Sequence, residues 1–235
     1  MKKKTIAIIL AGGSSKRMGK NLPKQFLEVA GKPLIVHALE KFSRKKSING
    51  IIVVSLEKYL DRSIQIIADN KVDKVIDVIP GGATRQESSY IGIKRCPDDT
   101  QFVLIHDSAR PFVDNKIIDD VLRAAVKYGA AAPAMEISDT VIFEKDGFVD
   151  KIPPRKTLKR IQTPQGFSYE TICKAHEQSR ENGITNATDD CGLVRNMNSP
   201  VRIVEGDPAN IKITDRYDIE TAEKATKDPE GKGGL

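Results

Sequence analysis

Glycines and basic side chains crowd one short stretch near the start of the chain. It reads Ala11-Gly12-Gly13-Ser14-Ser15-Lys16-Arg17-Met18-Gly19-Lys20, with Pro23-Lys24-Gln25-Phe26 close behind. Small residues let backbone N–H groups approach a ligand closely, and Lys16, Arg17, Lys20 and Lys24 put four cations on the same loop. That combination suits a polyphosphate; a solvated basic loop has the same composition. It is not a Walker A loop, because the Gly19-Lys20 pair comes one residue too late after Gly13 and Asn21 replaces the Ser or Thr that touches magnesium. G-x-G-x-x-G is missing too, so no dinucleotide fingerprint is present.

Other groups recur further on. Gly81-Gly82 with Arg85 and Ser88 can face a flat base with backbone groups and a hydroxyl, or form a plain turn between strand and helix. His106-Asp107-Ser108-Ala109-Arg110 offers a carboxylate for a divalent cation, since Mg²⁺ takes one or two carboxylates plus substrate phosphates. The competing reading is a structural Asp107–Arg110 pair, and His106 reads as a packed or hydrogen-bonding residue rather than a base. Lys212, in Asn210-Ile211-Lys212, brings a further positive charge. Thr188-Asp189-Asp190 is either a helix-capping region, with Thr188 as the cap, or a device that orders a site.

These groups need elements to place them. Apolar, β-branched runs at 5–10, 51–55, 75–79, 102–106 and 131–135 read as strands buried on both faces, as in a parallel sheet. Stretches 33–42, 59–68, 85–94 and 115–128 between them have helical spacing, so the alternation predicts an α/β protein with a doubly wound, mostly parallel sheet. Ligands of such sheets bind outside the carboxyl ends of the strands, where the groups above fall. Residues 140–144 and 148–151 around Asp146-Gly147 read as a β-hairpin, after which the chain returns through 161–165. A lone hairpin is marginal in water and needs something to pack on, such as a second subunit. Helices at 169–182 and 188–197, a strand at 201–204 and a last helix from about 215 follow. One domain over 1–226, with an arm at about 138–160 and a flexible tail at 227–235, is expected.

Composition narrows the class. The 235 residues carry 38 Lys and Arg against 32 Asp and Glu, a net charge of +6, with 39% hydrophobic residues. This is an ordinary globular composition, not a collagenous, disulfide-framed or mostly disordered one. The charge points to an anionic partner. Aromatic content is 5%, and the aromatic-plus-basic pattern of an RNA-binding sheet is missing. The start of the chain imitates a signal peptide, but the apolar run 5–10 falls short of the roughly 7–15 residues such a core needs. No stretch approaches the ~18 apolar residues that span a bilayer. Cys96, Cys173 and Cys191 form no C-x-x-C, which fits a reducing cytoplasm. Neither nucleic acid nor membrane is expected as a partner.

The phrase Ala11-Gly12-Gly13 … Lys16-Arg17-Met18 … Pro23-Lys24-Gln25-Phe26 resembles the signature loop of nucleotidyltransferases that join CTP to a polyol phosphate. With Gly81-Gly82, Arg85 and Ser88, with His106 to Phe112, and with Asp139-Thr140, Gln162-Thr163-Pro164-Gln165, Thr188-Asp189-Asp190 and Asn210 to Thr214, it is similar to the 2-C-methyl-D-erythritol 4-phosphate cytidylyltransferase family. The resemblance implies a Rossmann-like nucleotidyltransferase fold and a protruding β-hairpin dimerisation arm. The implied activity joins CTP and 2-C-methyl-D-erythritol 4-phosphate, releasing pyrophosphate, in non-mevalonate isoprenoid synthesis, with Mg²⁺ as cofactor. It assigns catalysis to Arg17, Lys24 and Lys212, and nucleotide binding to Ala11, Gly12, Gly13, Gly82, Ser88 and Asp107. Asp107 is also the metal ligand. Asp107, Arg110, Thr140, Arg155 and Lys212 hold the acceptor, with Thr140 and Arg155 serving the neighbouring site of a homodimer that exchanges arms. Gly12, Ala83 and Ser108 depart from the family's usual alanine, acidic residue and alanine. The loop 21–26 and His106-Asp107-Ser108 are also similar to D-ribitol-5-phosphate cytidylyltransferases, which make CDP-ribitol for teichoic acid or capsule.

Overall fold

The computed structural model describes residues 4–13 and 23–227. Arg17 and the rest of 14–22, and the tail from 228 onward, lie outside the described residues.

Strand β1 (Lys4–Ala11) lies inside the sheet, with β4 (Gly50–Ser55) on one side and β6 (Thr100–Asp107) on the other, both parallel to it. Its apolar run is continuous because both faces are covered. Ile6, Ile8 and Leu10 point into one core, and Ala7, Ile9 and Ala11 into the other, as the two-residue period of a strand requires. The first core is closed by α3 (Arg85–Lys94), α5 (Tyr169–Glu181) and α6 (Asp190–Asn196) through Ile93, Ile172 and Leu193. The second is closed by α1 (Leu34–Ser43), α2 (Leu60–Asp69) and α4 (Asn115–Tyr128) through Leu39, Ile67 and Ile118. Burying each such side chain contributes about 1.5–3 kcal/mol, which fixes the sheet as the rigid frame.

The two short strands β2 (Glu28–Val29) and β3 (Lys32–Pro33) pair only with each other. Strand β5 (Val75–Pro80) extends the sheet beyond β4. On the other side of β6 the sheet turns mixed. β11 (Gln165–Ser168) runs antiparallel between β6 and β7 (Ala130–Glu136), β10 (Lys159–Ile161) is antiparallel to β7, and β12 (Arg202–Glu205) is parallel to it. The chain thus winds outward from β1 through β4 and β5, then returns to build the other half. The crevice outside the ends of β1 and β6 marks this reversal.

The helices at 85–94 and 115–128 coincide with the expected ranges. The later part differs. The expected return through 161–165 is two strands, β10 and β11, separated by a cis peptide bond between Thr163 and Pro164. The first strand of the hairpin is shorter than expected: β8 (Phe143–Lys145) pairs with β9 (Phe148–Lys151), and 140–142 are in no strand. A register shift between Phe143 and Glu144, and Pro153-Pro154 just past β9, leave those residues without a partner. The turn is as read, with Asp146 at φ 53° and Gly147 at φ 84°, the pair of positive values that a two-residue hairpin demands. All seven arm strand residues are exposed. Helix α6 is capped by Asp189, whose side chain accepts from Gly192 N–H, rather than by Thr188.

Candidate active site

Leu10 of β1 pairs with Asp107 of β6, so the Gly12-Gly13 loop and the Asp107 carboxylate leave the sheet side by side. Beyond them lies a cavity of about 250 Å³. Seven expected residues line it: Gly12, Gly13, Lys24, Gly82, Ser88, Asp107 and Lys212. Gln25 and Arg85 join them from positions given no role in the sequence reading. Gln25 is buried, and its Nε2 donates to the Ala11 carbonyl at 2.6 Å, which ties the glycine loop to β1. Ala11 therefore stands behind the wall. Ser88 Oγ accepts from Gly82 N–H at 3.1 Å and donates to the Thr84 carbonyl at 2.9 Å. The turn is shaped by the cap of α3: Thr84 accepts from Glu87 N–H, and Glu87 reaches back to the N–H of Ala83, one residue before the cap.

Among the described residues Asp107 is the one carboxylate in the wall. Lys212 Nζ donates to its Oδ2 at 2.7 Å, and Arg85 Nε lies 3.5 Å from Oδ1. Burial pushes this carboxyl up, but Arg85 and Lys212 outweigh it and hold its pKa well below the usual carboxylate range. Arg85 is shared: its Nη1 donates at 2.8 Å to Asp190, a fully buried residue that also accepts from Ser89 at 2.6 Å and bonds His176 at 3.0 Å. Burial raises the Asp190 pKa, but Arg85, then His176, overcome it and bring it down to about 2. Asp190 is thus a structural anchor of the site, the role of an ordering group more than of a cap. Lys24 Nζ donates to the Ile213 carbonyl at 3.0 Å. Opposite signs alternate through Asp190, Arg85, Asp107 and Lys212.

Among the described residues no group of three or more His, Cys, Asp or Glu is placed to bind an ion. An all-protein cage is therefore not built here. One carboxylate beside Lys24, Arg85 and Lys212 does fit Mg²⁺, which keeps most of its sites for water and substrate phosphates.

The family model described as 2-C-methyl-D-erythritol 4-phosphate cytidylyltransferase matches residues 5–227. The chain belongs to this family. A 2-C-methyl-D-erythritol 4-phosphate cytidylyltransferase of Desulforamulus reducens is 40% identical over 225 residues, 94% of this chain and 95% of that protein. One of Geobacillus kaustophilus is 41% identical over 217 residues, covering 92% and 94%. The solved 4-diphosphocytidyl-2C-methyl-D-erythritol synthase of Anaerococcus prevotii superposes with a TM-score of 0.84 at 32% identity, covering 96% of each chain.

Not every residue that the family resemblance nominates reaches the cavity. Arg110 does not pair with Asp107; Lys212 and Arg85 take that place, and Arg110 Nη1 donates to the Asn210 carbonyl at 2.7 Å. Thr140 and Arg155 are exposed on the arm and outside the cavity wall, with Arg155 Nη1 bonded to the Ser138 carbonyl at 2.7 Å. His106 is fully buried between the Arg110 carbonyl and Thr163 Oγ1, both at 3.0 Å, and burial lowers its pKa to about 4. It is a neutral packed residue, as expected. Sequence reasoning quoted Arg85 in a motif but gave it no task. The signal was there: a charged residue opening a helix beside a glycine pair at the sheet's ligand edge.

Proposed function

We propose that this chain, working as one domain over 1–226, transfers the cytidylyl group of CTP to 2-C-methyl-D-erythritol 4-phosphate. The observation that carries the reading is the cavity in which Asp107 faces Lys24, Arg85 and Lys212 beside the Gly12-Gly13 and Gly82 backbones. An oxygen of the acceptor's phosphate attacks the α-phosphorus of CTP. A P–O bond forms in line with the one that breaks to the β-phosphate, and pyrophosphate leaves with the electron pair. The nucleophile is already an anion at neutral pH, so the chain needs no strong base; its task is to hold two polyanions together and to meet the charge that builds between them. Lys24 and Lys212 supply preorganised charge, joined by Arg17. Gly12, Gly13, Gly82 and Ser88 hold the nucleoside, with Ala11 fixing the loop from behind. Asp107 would hold Mg²⁺ with the phosphates, and the ion when bound draws charge off the reacting phosphoryl group.

The acceptor side is completed by a second copy. Phe143, Phe148, Val149 and Ile152 of the arm are 57%, 78%, 58% and 64% exposed, an apolar surface a partner would cover. Arm exchange brings Thr140 and Arg155 to the neighbour's acceptor phosphate, with Arg110 bracing the same side. The setting is cytoplasmic; among the described residues no helix is long and apolar enough to cross a membrane. The test is pyrophosphate release from CTP with 2-C-methyl-D-erythritol 4-phosphate or D-ribitol 5-phosphate as acceptor. Turnover with the first is expected; turnover with the ribitol compound alone would overturn the reading.

A further inference from the structure

The motif Gln162-Thr163-Pro164-Gln165 has no task in the mechanism above, although its first residue touches the segment that carries Lys212 and receives the hydrogen bond of Lys24. Residues 206–215, between β12 and α7 (Arg216–Lys227), form no helix or strand. Lys212 projects from this segment to Asp107, and the Ile213 carbonyl receives Lys24. A backbone without a hydrogen-bonding ladder must be fixed by other groups.

We infer that Gln162 is a positioning residue for Lys212. Its side chain is almost wholly buried, and its amide grips the loop at both edges. Nε2 donates to the carbonyls of Asp207 at 2.8 Å and Asn210 at 3.3 Å. Oε1 accepts from Asp207 N–H at 3.2 Å and Asn210 Nδ2 at 3.4 Å. The pattern fixes the amide's orientation, since a flipped group would set donor against donor. The Gln162 backbone is itself pinned, its N–H donating to the Pro133 carbonyl of β7 at 2.8 Å. The amide therefore carries the position of the central sheet to a loop that lacks its own. Asn210 continues the bracket by donating to the Thr163 carbonyl at 2.8 Å, and Ile213 N–H closes it on the Ala109 carbonyl at 2.8 Å.

Gly206 makes room for this grip. A Cβ there would stand 2.6 Å from Gln162 Oε1, 2.9 Å from Met135 and 3.3 Å from the Ala134 backbone. The side chain of Gln162 fits because residue 206 has none.

The inference rests on the reading of Lys212 as a catalytic cation, and a double-mutant cycle separates the two. Gln162→Met keeps the length and removes all four contacts to the loop, with the bond from Nε2 to Met135 Sδ. It should lower kcat by about 10–100-fold, the scale of a misplacement near 1 Å, with the KM for CTP within about 3-fold. In a Lys212→Ala background the same change should cost less than about 2-fold, because the group it positions is gone. Gly206→Ala leaves the chemistry of Gln162 intact, should follow the same pattern, and carries the cycle if Gln162→Met does not fold. Equal losses in both backgrounds, or a folded Gln162→Met with wild-type kcat, would overturn the inference. Wild-type turnover by Lys212→Ala alone would instead remove the reading of Lys212 beneath it.

Discussion

Asp190→Ala should destabilise the protein far more than its place on a seven-residue helix suggests. Asp190 is fully buried and answers three groups: Arg85, Ser89 and His176. Removing it strands the Arg85 guanidinium, whose other carboxylate, Asp107, is 3.5 Å away and already bonded to Lys212. Breaking a buried pair from one side costs about 3–5 kcal/mol. In a chain of this size each kcal/mol moves the melting temperature by about 2–4 °C, so a fall on the order of 10 °C is expected at pH 7. Adding Arg85→Leu removes the stranded charge while Asp107 keeps Lys212; the double variant should therefore melt above Asp190→Ala by a few degrees, about 1 kcal/mol or more. Acid gives an independent check. The Asp190 pKa is depressed from 3.8 to about 2 in the folded protein. Its stabilisation, on the order of 2 kcal/mol, is present above pH 3.8 and lost as pH falls through 2. The gap between wild type and Asp190→Ala should narrow between pH 7 and pH 3, as read by circular-dichroism melts. A melting point within about 2 °C of wild type at pH 7, or a double variant less stable than the single, would refute the reasoning.

Lys24→Ala and Lys212→Ala should each lower pyrophosphate release by on the order of 10²–10³ while melting near wild type, by analogy with the loss of one preorganised oxyanion donor; near-normal rates in both would remove them from the mechanism. If arms are exchanged, mixing inactive Lys24→Ala with inactive Arg155→Ala and letting subunits re-pair restores one intact site per mixed dimer, about a quarter of wild-type activity. No recovery in a mixture shown to contain mixed dimers would sink the trans role of Arg155. Burial lowers the His106 pKa from 6.5 to about 4, so folding disfavours its charged form. Stability should be full above pH 6.5 and fall by on the order of 3 kcal/mol towards pH 4, and His106→Gln should flatten that slope in urea titrations.

Much of the frame was legible because it rests on local pattern. The helices at 85–94 and 115–128 and the run of β1 follow from periodicity within a few residues. The glycine–lysine loop, Asp107 and Lys212 were legible because they follow strands at the sheet's ligand edge. What stayed hidden depends on distance along the chain. Arg85 and Asp190 are 105 residues apart, and Gln162 and Asp207 are 45 apart; no spacing within a helix or strand predicts either pair. Thr188 and Asp189 are both good caps by type, Asp the somewhat better one, and it is the backbone that gives Asp189 the place. The hairpin was readable from its turn, but its strand ends were not, because nothing packs on them within one chain.

The charges of the site explain why its parts divide between folding and rate. Asp190 lies behind the wall with both carboxylate oxygens taken and no exposure, so losing it strands a buried cation and the fold suffers. Lys212 is 41% exposed along its side chain, and its loss leaves Asp107 with Arg85; the fold should barely notice. What remains in the wall, Lys24, Arg85 and Lys212 against Asp107, has less positive charge than a triphosphate meeting a phosphate monoester brings in negative. On the proposed reading the balance comes from outside the described wall: a cation on Asp107, Arg17 of the glycine loop, and Arg155 from a partner's arm. On that reading a site completed only when substrate, metal and partner come together keeps its own like charges apart until then, so that lysines can gather at one sheet edge at little cost to the fold.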